Sequence, residues 1–257
     1  MENYGLTLLI VCPLVFVAGF IDSIAGGGGI ISLPAYLYAG LPIHFAYGTN
    51  KFGSTFGTMM AAGKYAKGGY IDYRSAIGSI VGALIGSWCG AQLAMFLDEK
   101  YLKICMLVIL PAVAIFLLFN RSFGTEHPEK RMHGTKLYIM ALLIGLAIGV
   151  YDGFFGPGTG TFLTLAFTGI MGFSLITASG NARVVNVASN ISALMAYIIG
   201  GKVMYSVGIP AAICGICGNY LGAKMAIKKG ERFIRPIILV SVALLFIHMI
   251  IELFFKQ

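Results

Sequence analysis

Long stretches of this chain carry no ionised side chain. Residues 75–97 run 23 positions without a charge and residues 203–223 run 21, and the runs 104–120, 184–201 and 236–251 come close to that length. A helix needs about 17–25 mostly apolar residues to cross the hydrocarbon core of a bilayer. In lipid, only helices and closed barrels satisfy their backbone polar groups internally. Period-two alternation is absent, so the chain reads as an all-α integral membrane protein, a polytopic helical bundle. Composition agrees: 58% of residues are hydrophobic and 11% charged, where soluble domains carry ~25% charged residues. That excludes an ordinary soluble enzyme, a disordered chain and a nucleic-acid binder. The net charge of +8 is then read against a bilayer, where Lys and Arg collect in cytoplasmic loops. Five cysteines, an odd number set mostly in apolar runs, make no disulfide framework. The opening Met1-Glu2-Asn3-Tyr4 lacks the basic leader of a signal peptide, so the first apolar run is expected to be retained.

The chain repeats itself. Gly19-Phe20-Ile21-Asp22-Ser23-Ile24-Ala25-Gly26-Gly27-Gly28-Gly29 answers Gly149-Val150-Tyr151-Asp152-Gly153-Phe154-Phe155-Gly156-Pro157-Gly158-Thr159 at an offset of 130. Gly86-Ser87-Trp88-Cys89-Gly90-Ala91 answers Gly218-Asn219-Tyr220-Leu221-Gly222-Ala223 at an offset of 132, as does Glu99-Lys100-Tyr101-Leu102-Lys103 with Glu231-Arg232-Phe233-Ile234-Arg235. The expected organisation is a first transmembrane repeat over 1–120, a polar linker over 121–136, and a second repeat over 137–257. Within the repeats, Gly82, Gly86 and Gly90, like Gly218 and Gly222, recur every four residues, a spacing that lets membrane helices approach closely.

Charge counting orients the halves. The pieces 5–20 and 30–40 are each too short to cross the hydrocarbon core as helices. If they fold back as a hairpin, each half crosses three times and the halves are inverted. Loops near 63–74, 120–136 and 224–235 then put twelve cations on one face, against Lys100, Lys103, Lys202 and Lys256 on the other. A single crossing for the broken pieces gives nine against seven. The positive-inside rule favours the first: two inverted repeats, a cytoplasmic linker and both termini outside. Five crossings per half keep the same parity, so a re-entrant or half-helix hairpin and paired full spans both stand.

Two cations fall outside that tally. Lys51 and Arg183 follow asparagines, in Gly48-Thr49-Asn50-Lys51 and Gly180-Asn181-Ala182-Arg183, and Asn50 matches Asn181 at an offset of 131. A cation within a span costs at least ~2.5–3.5 kcal/mol and usually faces a cavity or partner; the alternative is that it snorkels to the surface. A guanidinium can also grip an oxyanion with two parallel bonds. Asp22 and Asp152 are the matching anions. Each precedes a glycine break, so each is either a cap for the following helix or a proton-carrying carboxylate or counter-ion to Lys51 and Arg183.

The glycine clusters themselves, Gly26, Gly27, Gly28 and Gly29, and Gly156, Gly158 and Gly160 around Pro157, each begin a new helical piece inside the apolar zone. Free N–H groups at a helix start, with the positive end of its dipole, attract anions, and broken transporter helices use this. No Gly-Lys-Ser/Thr follows either cluster, which excludes a P-loop. The expected site is therefore a small-anion site near mid-bilayer: Asn50, Lys51, Asn181, Arg183 and the two glycine clusters bind, and Asp22 and Asp152 couple or gate. Cys214 and Cys217 have C-x-x-C spacing but lie in an apolar run, and read as packing. His127 and His133 lie in the polar linker. No metal, cofactor or nucleophile–base constellation is expected, so the chain does not read as an enzyme.

These motifs resemble the TauE/SafE family of membrane permeases (the sulfite exporter, or TSUP, family). Gly19 to Gly29 followed by Pro34 and by Gly48-Thr49-Asn50-Lys51 carries the likeness, and Asp152 to Gly160 looks like the repeated motif in the YfcA-like branch. The resemblance covers nearly the whole chain. It implies a multi-pass prokaryotic inner-membrane transporter of about eight helices that moves sulfite, sulfonates such as sulfoacetate, or related organosulfur anions; with no ATPase motif in the chain, a gradient is expected to drive it. A passive anion channel, or a permease for a non-sulfur carboxylate, is the alternative. The partners expected are a small anion and the lipid bilayer, not nucleic acid; monomer and homodimer both remain open.

Overall fold

The computed structural model describes residues 4–102, 105, 132, 134–234, 236–238 and 240. Most of the expected spans 104–120 and 236–251, and most of the linker 121–136 with His127 and His133, fall outside these. The described chain forms α1 (Tyr4–Ala25), α2 (Gly29–Tyr38), α3 (Ile43–Lys67), α4 (Tyr73–Phe96), α5 (Thr135–Phe154), α6 (Thr159–Gly169), α7 (Leu175–Ile199) and α8 (Tyr205–Lys229). No strand occurs among the described residues.

Length and composition sort these helices. α1, α4, α5, α7 and α8 are long and apolar enough to cross a membrane. α2 has 10 residues and α6 has 11; at ~1.5 Å per residue, each reaches about half of a ~30 Å hydrocarbon core. α3, at 25 residues, matches α7 in length but buries Thr49, Asn50, Lys51, Thr55 and Thr58, a polar face that only protein can cover. α1 runs five residues past its expected end at residue 20, because Ile21, Ser23, Ile24 and Ala25 are all buried against neighbouring helices. Its helix stops only where Gly26 takes φ +88°.

Local chemistry sets several of the other ends. Asp72 accepts from the Ser75 N–H at 2.9 Å at the start of α4, and Ser174 accepts from the Thr177 N–H at 3.4 Å at the start of α7. Both are side-chain caps for amides that would otherwise lack partners. α3 ends in Lys64 and Lys67 and α8 in Lys228 and Lys229, cations at the negative end of the helix dipole.

The most extensive packing joins α4 to α5 and α1 to α8, and α3 packs against both α8 and α7. Small residues make these contacts possible. A β-carbon added to Gly82, Gly86 or Gly90 would lie 2.1–2.3 Å from the carbonyl oxygen of Leu142, Leu146 or Val150 in turn. Gly145 and Gly153 meet the Ser79 and Ser87 carbonyls just as closely from the other side. Gly218 and Gly222 press the same way on Phe16 and Phe20 of α1. The four-residue glycine spacing thus brings backbones into direct contact. The outer faces carry exposed Leu9, Ile77, Ile85, Ile139, Leu143, Ile209 and Ile213.

The bundle has two distinguishable ends. At one, Lys64 Nζ stands 4.0 Å above the Tyr220 ring, Glu231 accepts from the Leu175 N–H at 3.2 Å, and Gly134 shares a surface pocket with Asp72 and Phe173. At the other, the Tyr4 hydroxyl donates to the Ser206 carbonyl at 2.8 Å, Thr49 Oγ1 accepts from the Met204 N–H at 3.0 Å, and Gly48 abuts the Lys202 carbonyl.

Candidate functional site

Both glycine clusters interrupt the helices. Between α1 and α2 the chain turns at Gly26, and between α5 and α6 at Gly156 (φ +94°) and Gly158 (φ +86°), backbone geometry that favours glycine. The two interruptions meet. A β-carbon on Gly26 would lie 2.1 Å from the Gly160 carbonyl carbon, one on Gly29 would lie 3.0 Å from Pro157 Cα, and Thr161 Oγ1 donates to the Ala25 carbonyl at 2.8 Å. Only residues without side chains allow the two breaks to touch.

The carboxylates sit at the starts of the short helices. Asp22 Oδ1 accepts from the Gly28 N–H at 3.3 Å, and Asp152 Oδ1 accepts from the Thr159 hydroxyl at 2.8 Å. Each also faces a cation from the other half of the chain. Lys51 Nζ lies 2.7 Å from Asp152 Oδ2, and donates to Asn190 Oδ1 at 3.0 Å. Arg183 Nη1 donates to the Asp22 carbonyl at 2.5 Å and lies 3.7 Å from Asp22 Oδ2, while its Nε donates to the Ser179 carbonyl at 3.4 Å. Both carboxylates thus face a cation; Asp22 also accepts a backbone amide just before α2, whereas Asp152 accepts from the hydroxyls of Thr159 and Ser189 and caps no amide at the start of α6.

Burial decides against snorkelling. Lys51 is 3% exposed and Arg183 is 0%. Taking one such charge from water without a partner is prohibitive, and even a paired charge repays its desolvation only when the remaining polar valences are filled. Around Lys51 two acceptors engage the ammonium, and Ser189 Oγ also donates to its counter-ion at Asp152 Oδ2. Around Arg183 the valences are not all filled, since Nη2 has no partner. The four charges sum to zero. The guanidinium also lies against the start of α6, where a β-carbon on Gly160 would sit 2.6 Å from Nη1.

The two matched asparagines are placed differently. Asn181 is engaged at both ends of its amide: its Oδ1 accepts from the Asp72 N–H at 2.9 Å and its Nδ2 donates to Ser75 Oγ at 2.9 Å, which ties α7 to the start of α4. Asn50 instead lines a cavity of about 20 Å³ among α1, α2, α3 and α8, together with Asp22, Gly28, Ser32, Tyr36 and Asn219. Gly28 and Asp22 thus belong to both the break and the cavity. Gly156 stands beside the other pair, where an added β-carbon would lie 3.4 Å from Lys51 Nζ.

Sequence reasoning missed Ser189, Asn190, Tyr36 and Asn219. A signal existed for Asn190: Ser179, Arg183, Asn186 and Asn190 recur at helical spacing and make a polar stripe along an otherwise apolar segment. Asn219 is a lone amide in an uncharged run, and nothing in its spacing distinguishes it. Cys214 and Cys217 are free thiols, half-buried and exposed respectively, and no group of three or more His, Cys, Asp or Glu side chains with metal-site geometry occurs among the described residues.

Comparison with known proteins identifies the family. The sulfite exporter TauE/SafE family profile matches residues 11–249. A probable membrane transporter protein of Haemophilus influenzae is 34% identical over 239 residues, covering 93% of this chain and 92% of that one. The probable membrane transporter protein YfcA of Escherichia coli K12 is 32% identical over 253 residues, covering 95% and 93%. YdhB of Bacillus subtilis, also a probable membrane transporter protein, is 29% identical over 241 residues, covering 91% and 97%. No solved structure matches the chain. With apolar spanning helices, paired charges buried between two helix breaks, and a profile match along almost its whole length, the chain is a multi-pass membrane protein that belongs to the TauE/SafE family of transporters.

Proposed function

We propose that this chain is a gradient-driven secondary transporter of small organosulfur anions such as sulfite, sulfonates or sulfoacetate. The observation that carries the reading is the pair of crossed ion bridges, Lys51 to Asp152 and Arg183 to Asp22, set beside two touching helix breaks. In each bridge the cation comes from one half and the carboxylate from the other, so a movement of one half against the other must break or remake both. An anion entering this neutral cluster competes with Asp22 or Asp152 for the cations, and with the N–H groups at the starts of α2 and α6. Arg183 is the strongest candidate to receive it, because its Nη2 already lacks an acceptor. Lys51, Asn50 and the glycine clusters complete the proposed site. Asn181 positions α4 against α7, and Asp22 and Asp152 serve coupling or gating. The relatives' names support transport; the family description, sulfite exporter, supports the substrate class.

An inverted pair of repeats fits this cycle. Supporting it, the described helices follow one order twice: long, short, long, long. Supporting it too, α1 begins beside Ser206 while the chain after α2 returns to Lys202 and Met204, at the end opposite to Gly134 and Phe173, where α5 begins and α6 finishes. In that arrangement the end with Lys64, Lys67, Arg74, Lys228 and Lys229 is cytoplasmic, in a bacterial inner membrane. The 20 Å³ cavity has room for about one water, which favours a gated carrier over an open channel.

The test is sulfite counterflow in proteoliposomes. Arg183→Gln is expected to weaken apparent affinity for sulfite far more than it lowers protein yield; unchanged counterflow would remove Arg183 from the site. Conductance without saturable exchange would instead establish a channel.

A further inference from the structure

The two crossed ion pairs are built differently. Asp152 is 2% exposed and accepts from Thr159 and Ser189 while Lys51 stands at 2.7 Å. Asp22 is held more loosely: its carboxylate has the Gly28 N–H at 3.3 Å and Arg183 at 3.7 Å, and its side chain is 16% exposed. Asp22, not Asp152, lines the cavity among α1, α2, α3 and α8.

Two residues that line the cavity, 0% and 3% exposed, each keep one buried atom without a partner, Tyr36 Oη and Asn219 Oδ1. The Asn219 amide has its orientation set by Nδ2 donating to the Gly215 carbonyl at 3.0 Å, so the free atom is the acceptor. A phenol needs an acceptor and an amide oxygen needs a donor. Water in the cavity can meet needs of this kind. A buried water needs roughly 10–15 Å³ and two to four polar partners; the cavity has about 20 Å³.

The second half has no such arrangement. At the matching positions, Phe162, Ala166, Val184 and Val185 stand in place of Ser32, Tyr36, Gly53 and Ser54. Ser87, in place of Asn219, already donates to the Ser189 carbonyl at 2.7 Å.

We infer that Asp22 alone takes up the coupling proton, from water in the cavity that Tyr36 and Asn219 also line, while Asp152 stays ionised as the fixed counter-ion of Lys51. This rests on the gradient-driven reading above. The step balances: a hydronium ion reaching the cavity from bulk water gives its proton to an Asp22 Oδ atom, one O–H bond breaks as another forms, and a water remains. The cluster then carries one net positive charge, enough for one monovalent anion at Arg183. The charges acting on Asp22 are Arg183 on α7, Lys51 on α3 and Asp152 on α5. Tyr36 on α2 shares the cavity, Tyr65 on α3 donates to the neighbouring Ser23 carbonyl at 3.1 Å, α8 contributes Asn219, and α6 has no titratable side chain.

Infrared difference spectroscopy of the full chain in lipid, titrated from alkaline to acid pH without substrate, tests this. A high-frequency C=O band, from a carboxylic acid in a low-polarity site, is expected to grow in the wild type. It is expected to be lost in Asp22→Asn, kept in Lys51→Met with Asp152→Asn, and shifted in Tyr36→Phe with Asn219→Leu. Because the paired neutral variant removes both charges, a folded sample is retained for comparison. A band that survives Asp22→Asn, that disappears with Asp152, that is absent throughout the titration, or that ignores the Tyr36 and Asn219 changes overturns the inference. The measurement needs no transported anion, so a protein that fails to move sulfite while keeping the Asp22 band refutes the substrate and leaves the protonation site standing.

Discussion

Gly26 and Gly160 stand back to back: a β-carbon on Gly26 would lie 2.1 Å from the Gly160 carbonyl carbon, and one on Gly160 would lie 2.6 Å from Gly26 Cα. Everything proposed for the site depends on this contact, because it holds the start of α2 against the start of α6. Gly26→Ala combines the strain of a left-handed backbone, about 1–3 kcal/mol, with overpacking of about 1–3 kcal/mol. Gly40 has a similar φ of +84° but nothing within 4 Å. Thermal unfolding in detergent is expected to show a much larger loss for Gly26→Ala than for Gly40→Ala; equal losses would mean that the breaks do not touch.

The Lys51–Asp152 pair makes a double-mutant cycle informative. Asp152→Asn leaves a buried ammonium without its counter-charge, at a cost of about 3–5 kcal/mol. Adding Lys51→Met removes that charge, so the double variant is expected to unfold at a higher temperature than Asp152→Asn alone. Additive losses would show that the two side chains do not interact.

Asn50 and Asn181 are expected to separate function from stability. Asn181→Ala removes its bonds to Asp72 and Ser75 and leaves buried polar groups behind, a loss of about 1–3 kcal/mol. Asn50 faces the cavity, so Asn50→Ala is expected to alter sulfite counterflow with little change in unfolding temperature. The reverse pattern would exchange their roles.

The α4–α5 seam can be probed at Gly86, where a β-carbon would lie 2.3 Å from the Leu146 carbonyl oxygen. A backbone cannot yield there without the helices moving apart, so Gly86→Ala is expected to destabilise by about 1–3 kcal/mol. Gly63 on α3 is helical with nothing within 4 Å, and Gly63→Ala is expected to stabilise by about 1 kcal/mol through helix propensity. Unfolding temperatures moving in opposite directions are the expected result.

Much of the site was legible in one dimension because a bilayer penalises what it cannot solvate. Lys51 and Arg183 stood out in apolar runs, Asp22 and Asp152 preceded matching glycine clusters, and all four are found together. Asn181 was less legible. Its match to Asn50 implied a shared role, yet a loop partner from the start of α4 occupies its amide, and sequence spacing carries no record of such a partner. The end of α1 at Ala25 was hidden for a related reason. Burial against α8 and α6 extends the helix beyond the length that its own apolar run suggested.

The sequence by itself determined that the chain is helical and membrane-borne, that it breaks at Gly26 and Gly156, and that charge of both signs lies within those helices. These properties follow from local rules: apolar length, glycine's access to positive φ, and the cost of an ion in hydrocarbon. Which cation faces which carboxylate was decided only in three dimensions. Arg183 meets Asp22, and Lys51 meets Asp152, across 161 and 101 positions of chain, and no local preference encodes a contact of that range. The inequality of the two pairs is likewise tertiary: the packing of α1, α2, α3 and α8 leaves a water-sized polar space beside Asp22, whereas valines and a phenylalanine stand at the corresponding positions of the other half.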